Sequence, residues 1–241
     1  TCVSDTDTHE PIMVASTPSP NGYFPYNKTE IPLKIFLNEP VDCRISKEDK
    51  EYYEMTENMD CRNSLVDVQK FGWGWNTTLR NDGNRTYYIR CLDQPWKSIN
   101  RNANSESFVL NLGESLTPLN ISEISPSGDM VFGNSNITIN LRARTGGGAT
   151  GDATCSYSFD NEEGSNATYY AFFNTGSREH TQTFDSIGEG SWNIKIKCED
   201  FAGNTADTVA SFNIQIDSRS PAITRAYKRD SNLHIVTSED G

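Results

Sequence analysis

No stretch of this 241-residue chain approaches the roughly 18 apolar residues of a bilayer-crossing helix, so no direct membrane span is expected. No Cys-x-x-Cys occurs, which removes the close thiol pairs of zinc ribbons and thioredoxin-like redox sites. HExxH, GxSxG and the phosphate-loop motif are also missing. The three histidines, His9, His180 and His234, fall in three separate segments. No catalytic residues are indicated, and the chain reads as a non-enzyme. Bases are scarce, with 21 Lys and Arg against 33 Asp and Glu, net −12. Nucleic acid and anionic membranes select basic patches, so neither is expected as a partner.

What is present argues for a folded, oxidised protein. The 25 aromatic residues (11 Phe, 10 Tyr, 4 Trp) oppose disorder, and the length suits two domains of about 100–150 residues. Six cysteines, Cys2, Cys43, Cys61, Cys91, Cys155 and Cys198, are even in number and widely spaced. They read as disulfides, which persist outside the cytosol; about 15 connectivities are open to six thiols. Six N-x-S/T sequons occur, at Asn27, Asn76, Asn84, Asn120, Asn136 and Asn166, in a chain with 23 Asn. They read either as surface glycosylation sites or as unmodified asparagines of an Asn-rich chain. Position 1 is Thr rather than Met, and the chain reads as already processed.

Two segments run in parallel. The first has Pro20-Asn21-Gly22, then Ile31, Leu33, Ile35 and Leu37, then Cys43-Arg44-Ile45-Ser46, then Ile89-Arg90-Cys91-Leu92-Asp93, and closes on Phe108-Val109-Leu110. The second has Pro126-Ser127-Gly128, then Ile137, Ile139 and Leu141, then Cys155-Ser156-Tyr157-Ser158, then Ile196-Lys197-Cys198-Glu199-Asp200, and closes on Phe212, Ile214 and Ile216. A third copy begins at Pro221-Ala222-Ile223, with Leu233-His234-Ile235-Val236 as its second strand. Alternating apolar positions between turn-rich stretches predict many short half-buried strands, an all-β sandwich architecture. In residues 114–217 the strands are expected near 119–124, 136–142, 153–159, 168–173, 180–184, 191–198 and 207–216.

The order Pro-x-Ile, Pro-x-Gly, an Ile/Leu strand, Cys-x-Tyr-Ser and Lys197-Cys-Glu-Asp-Phe-Ala-Gly-Asn204 resembles tandem Ig-like repeats of prokaryotic, often archaeal, cell-surface proteins. Residues 1–113 depart from it, with Cys91-Leu92-Asp93-Gln94-Pro95-Trp96 in place of the Ala-Gly-Asn turn. The resemblance implies an extracellular spacer, stalk or assembly role. On this reading residues 1–113 are Ig-like domain 1 with a bonded N-terminus and an insertion, and 114–217 are Ig-like domain 2. Residues 218–241 are two strands of a third repeat or a strand-donating tail, completed by continuing chain or by another molecule. The first cysteine of each copy follows the second strand, which puts it on strand C beside strand F. The expected bridges are therefore Cys43–Cys91 and Cys155–Cys198, each within one sheet, which leaves Cys2–Cys61.

Several constellations carry two readings. Ser46-Lys47-Glu48-Asp49 is either a capping box starting a short helix or part of an irregular excursion. Phe71-Gly72-Trp73-Gly74-Trp75 alternates as a strand with its aromatics on one face. That face is either core or, with Trp96, a platform for sugars or a neighbouring subunit. Gly146-Gly147-Gly148 reads as a flexible loop, since no helix and Lys follow it. Asp129, Asp152, Glu199, Asp200, Asp207 and Asp217 cluster at domain ends, either as a solvated acidic surface or as calcium ligands at junctions. No other cofactor or metal is expected. Residues 114–217 hold 14 acids and 5 bases, whereas 218–241 hold 3 and 4, with Arg225, Lys228 and Arg229 close together. Opposite charges on body and tail would favour head-to-tail contacts between copies. The function expected is a cell-surface filament, pilus-like fibre or stalk subunit, or alternatively an adhesin or carbohydrate-binding module for surface glycans.

Overall fold

The structure, a computed structural model, describes residues 9–61, 65–99, 101–159, 167–219 and 222–238. In chain order the first part forms β1 (Met13–Thr17), β2 (Tyr23–Phe24), β3 (Glu30–Leu37), β4 (Val41–Ser46), a 3-10 turn (Tyr52–Glu54), β5 (Glu57–Asn58), β6 (Asp60–Cys61), α1 (Leu65–Phe71), β7 (Trp73–Arg80), β8 (Thr86–Asp93), β9 (Phe108–Asn111) and β10 (Gly113–Glu114). The second forms β11 (Thr117–Ser125), β12 (Gly128–Phe132), β13 (Ile137–Gly148), β14 (Thr154–Ser158), β15 (Tyr170–Ala171), β16 (Glu179–Ile187), β17 (Gly190–Glu199) and β18 (Thr205–Ile216). A hairpin of β19 (Ile223–Arg229) and β20 (Asn232–Thr237) follows.

Each part is a two-sheet sandwich. In domain 1, β1-β3-β7-β6 faces β5-β4-β8-β9; in domain 2, β11-β13-β16 faces β12-β18-β17-β14-β15. Alternation builds both cores. Along β3, Ile31, Leu33, Ile35 and Leu37 are buried; along β13, Ile137, Ile139, Leu141 and Ala143 are buried while Thr138, Asn140 and Arg142 stay outside. Each such large side chain contributes about 1.5–3 kcal/mol on burial. This all-β pattern is the tandem Ig-like sandwich arrangement, with A-B-E against C-F-G strands.

Both central bridges form as expected. Cys43 lies directly opposite Cys91 on β4–β8, and Cys155 opposite Cys198 on β14–β17. They are cross-strand links in one sheet, unlike the inter-sheet bond of antibody domains. Cys61 lies exposed on β6; its expected partner Cys2 falls outside the described residues.

The copies also match where the sequence is less regular. A cis X-Pro bond follows the first strand in each, at Thr17–Pro18 and Ser125–Pro126. The next strand then leaves the sheet of the first and runs parallel to the last strand of its copy, as a separate two-stranded ladder in domain 1 and within the opposite sheet in domain 2. β2 pairs with β10 (Tyr23↔Gly113), and β12 pairs with β18 from Gly128↔Phe212 to Phe132↔Ile216.

Two expectations need correction, one of two open readings falls away, and one strand is new. Phe71 is not on the strand with Trp73 and Trp75; it ends α1, and Gly72, at φ +98°, turns the chain into β7. Ser46 does not cap a helix, since its Oγ accepts only the local N–H of Glu48. Two arginines pin the excursion instead. Arg44 stacks on the Tyr52 ring at 4.7 Å and donates to the Tyr52 and Met55 carbonyls; Arg90 reaches Glu51 at 2.9 Å. Gly146–Gly148 is not a loop but the end of β13, paired with β11. Strand β12 was not anticipated at all.

Candidate functional site: the joint between the sandwiches

The described residues assemble no catalytic group. His180 is fully buried in domain 2 with Thr145 Oγ1 at 3.0 Å from Nε2 and Thr175 Oγ1 at 2.9 Å from Nδ1. Cys155, His180 and Cys198 bring three ligand-type atoms within 4.8 Å of one another. The two sulfurs are bonded to each other, however, and metal binding needs thiolates. His234 stacks on Tyr227 in the hairpin, 5.2 Å between rings.

Burial pushes the His180 imidazole below its ordinary value of 6.5. The folded state keeps it neutral, while the unfolded chain takes up the proton below about pH 6.5. The stability contribution is therefore full above that pH and is lost as pH falls toward the folded value. Urea midpoints of domain 2 are expected to decline from about pH 7.5 to 5, and His180→Gln is expected to lose that part of the slope.

The most elaborate polar constellation lies where the two sandwiches meet. Only Ser115 and Leu116 separate β10 from β11. The turn after β17, Asp200-Phe201-Ala202-Gly203-Asn204, abuts the end of domain 1. Asp200 is buried, and its carboxylate accepts four N–H bonds: Oδ1 from Ala202 N (3.0 Å) and Asn204 N (2.8 Å), Oδ2 from Asn204 Nδ2 (2.8 Å) and Ala149 N (2.9 Å). Asp200 N donates in return to the Asn204 carbonyl at 3.0 Å. So held, Asn204 reaches across the boundary. Its Oδ1 accepts from Tyr26 N at 2.6 Å, and its Nδ2 donates to Ser115 Oγ at 2.9 Å. Phe201 meets the Tyr23 ring edge-on, 5.3 Å between centroids.

The glycine run serves this packing. A Cβ on Gly148, at φ +59°, would come within 2.3 Å of Asp200 Oδ2, and one on Gly147, at φ +70°, within 2.2 Å of the Pro118 carbonyl. Only glycine admits both the backbone conformation and the close approach. The Asp200 oxygens anticipated as calcium ligands are directed at N–H groups.

Domain 1 carries the same clamp at its opposite end. Asp93 is buried; Asn102 N donates to its Oδ1 (2.6 Å), Asn102 Nδ2 to its Oδ2 (2.7 Å), and Asp93 N to the Asn102 carbonyl (2.9 Å). These are the three bonds of the Asp200–Asn204 pair. The asparagine is nine residues after the aspartate instead of four, which hid the match in the sequence; the signal the two share is Cys-x-Asp with an Asn at a variable distance after it.

The aromatic candidates separate. Trp75 is 3% exposed and Trp73 packs half-buried against the domain 1 core, so neither belongs to a sugar platform. Phe71 is partly exposed and packs on Phe36 at 5.3 Å. Trp96 is 68% exposed, in the turn closed by the Lys97 N–H bond to the Gln94 carbonyl. Arg225, Lys228 and Arg229 are all exposed on β19; Arg225 lies over the Tyr227 ring and Arg229 is 3.6 Å from Asp230. Of the sequons, Asn27, Asn84, Asn120 and Asn136 are exposed, Asn76 is half-buried within β7, and Asn166 lies outside the described residues. An unanticipated aromatic group surrounds Tyr157, with Phe159, Tyr170, Phe172 and Phe184 within 6 Å between rings.

No helix among the described residues is long and apolar enough to cross a membrane. No protein-family model matches the chain, and no curated protein does. Solved structures do. Fibronectin(III)-like modules of CbhA from Clostridium thermocellum align with 10% identity and a TM-score of 0.47, over 86% of this chain and 94% of that one. The N-terminal Ig1-2 module of the Drosophila receptor protein tyrosine phosphatase DLAR aligns with 11% identity and 0.27, over 87% and 100%. The Yersinia pseudotuberculosis adhesin InvE aligns with 10% identity and 0.29, over 90% and 66%. The fold assignment itself rests on strand order, register and the two bridges described above.

Proposed function

We propose that the protein is an extracellular structural subunit whose Ig-like sandwiches act as a stiff spacer and join end to end into a cell-surface filament or stalk. The observation that carries this reading is the joint. A two-residue link, a buried Asp–Asn clamp and an aromatic contact hold two sandwiches pole to pole. A freely jointed tether would need none of these, because a longer polar linker would serve. Internal disulfides and exposed sequons suit an oxidising, glycosylated surface. Spin labels on exposed positions of β3 and β16 test the stiffness. One narrow distance distribution is expected, broadening in Asn204→Ala. Negative-stain images of concentrated protein should contain fibres; single particles alone at every concentration would overturn the filament part.

A second reading, an adhesin or carbohydrate-binding module, has a specific observation in its favour. Tyr170 and Phe173, 55% and 85% exposed, stand on the edge of domain 2 beside the Tyr157 group. Glycan binding abolished by Tyr170→Ala, with the fold intact, would move the assignment to that reading.

A further inference from the structure

Cys155 and Cys198 share the domain 2 core with a histidine. His180, on β16 in the facing sheet, brings a ring nitrogen and the two sulfurs within 4.8 Å of one another, and all three residues are fully buried. The bridge of domain 1 occupies the matching place with different surroundings. Among the described residues no His, Cys or carboxylate completes a like group with Cys43 and Cys91, and Trp75 belongs to the core cluster that holds them.

Hydrogen bonds fix which ring nitrogen is available. Thr145 Oγ1 donates to the Gly151 carbonyl at 2.7 Å, so toward His180 it accepts, and Nε2, 3.0 Å away, carries the proton. Nδ1 is left with its lone pair. Thr175 Oγ1 donates to it at 2.9 Å and accepts from Cys155 N at 2.7 Å, which ties Nδ1 to the backbone of the cysteine. A metal-binding imidazole is built in this manner: one nitrogen donates to an oxygen behind it, and the other faces the ion.

We propose that domain 2, with its bridge reduced, binds a zinc ion through Cys155 Sγ, Cys198 Sγ and His180 Nδ1. Thiolate and neutral imidazole are donors that suit zinc, and around a tetrahedral ion such ligand atoms stand about 3.3–3.8 Å apart. Directly opposite positions on adjacent strands, 4.0 Å between Cα atoms, let both sulfurs turn to one point. His180 closes the third side with a shift of about an ångström, and water or a free thiol takes the fourth position. Thr175 Oγ1, displaced from Nδ1, has the Ala153 carbonyl 3.5 Å away to turn to. A dithiol reductant gives two electrons and two protons to the S–S bond and leaves as its own disulfide; the ion then displaces the two protons from the thiols. Bridge and ion are alternatives, so the site exists before oxidation closes the bond or after reduction reopens it. This inference is independent of the end-to-end reading.

Calorimetry on the full chain tests this. The wild type, His180→Gln and Cys155→Ser are reduced in urea, returned to native buffer without oxygen, freed of reductant, and scanned with and without zinc chloride. Zinc should raise the domain 2 transition of the reduced wild type by roughly 10–20 °C once the free ion is about a hundred times its Kd. The domain 1 transition should stay where reduction put it. His180→Gln and Cys155→Ser should each lose most of the rise, and the oxidised wild type, which has no thiolates there, should show none. Oxidised His180→Gln keeps the bridge, so its near-UV circular dichroism checks that the substitution leaves the fold intact. Cobalt in place of zinc should add the visible bands of a tetrahedral thiolate site, weakened in His180→Gln. A domain 2 transition that zinc leaves unmoved or lowers, or a rise as large in His180→Gln as in the wild type, would overturn the site.

Discussion

Replacing Cys155 and Cys198 together by alanine is expected to lower the stability of domain 2 by about 4 kcal/mol. The bridge spans a sequence separation of 43. Freeing it restores to the unfolded chain the loop entropy that the link removes, a cost that grows slowly with loop length. A domain of this size melts about 4–8 °C lower per kcal/mol, so its transition should fall by roughly 20 °C. Differential scanning calorimetry reads this directly. Domain 1, with its own bridge across a separation of 48, should keep its transition in place. A shift under about 5 °C would mean that the sulfur link constrains little.

Asp200→Ala is expected to cost domain 2 about 3–5 kcal/mol. Four N–H groups lose their acceptor, each orphaned buried donor costing about 1–3 kcal/mol, with partial relief by water. The larger consequence is mechanical coupling. Without the carboxylate, Asn204 is no longer oriented, and its bonds to Tyr26 N and Ser115 Oγ go with it. Asp93→Ala supplies the contrast. It should destabilise domain 1 through the same lost clamp bonds yet leave the two sandwiches tumbling together. Nitrogen-15 relaxation separates the two outcomes. If Asp200→Ala still tumbles as one body, the clamp does not set the joint.

Both predictions rest on features of unequal legibility. The bridges could be read because the cysteines hold the same places in a repeat, between a second strand and a later alternating run. Strand alternation was legible for the same reason: Ile137, Ile139 and Leu141 leave no ambiguity about which face is inward. Other features were hidden by pattern itself. Phe71-Gly72-Trp73-Gly74-Trp75 keeps period two across a helix end, so alternation alone misplaced Phe71; the glycine at φ +98° was the true punctuation. Three consecutive glycines ordinarily mean a loop, yet here they let β13 approach Asp200 and Pro118. β12 offered only Met130 and Phe132 as an alternating pair, too few to mark a strand. The joint was invisible because its members, Tyr23, Tyr26, Ser115, Asp200 and Asn204, are brought together by tertiary structure across up to 178 positions.

The parallel pairing of β12 with β18 has a consequence for the protein under tension. A pull along the chain draws the strand near the start of domain 2 one way and the final strand the other. Because the two run side by side in the same direction, the pull slides one along the other, and their hydrogen bonds resist together in shear instead of opening one at a time like a zipper. If that patch does rip, the Cys155–Cys198 link withholds the residues it encloses. The extended length should then fall short by about 150 Å, at roughly 3.5 Å per residue, a step that single-molecule stretching would resolve and a reductant would release.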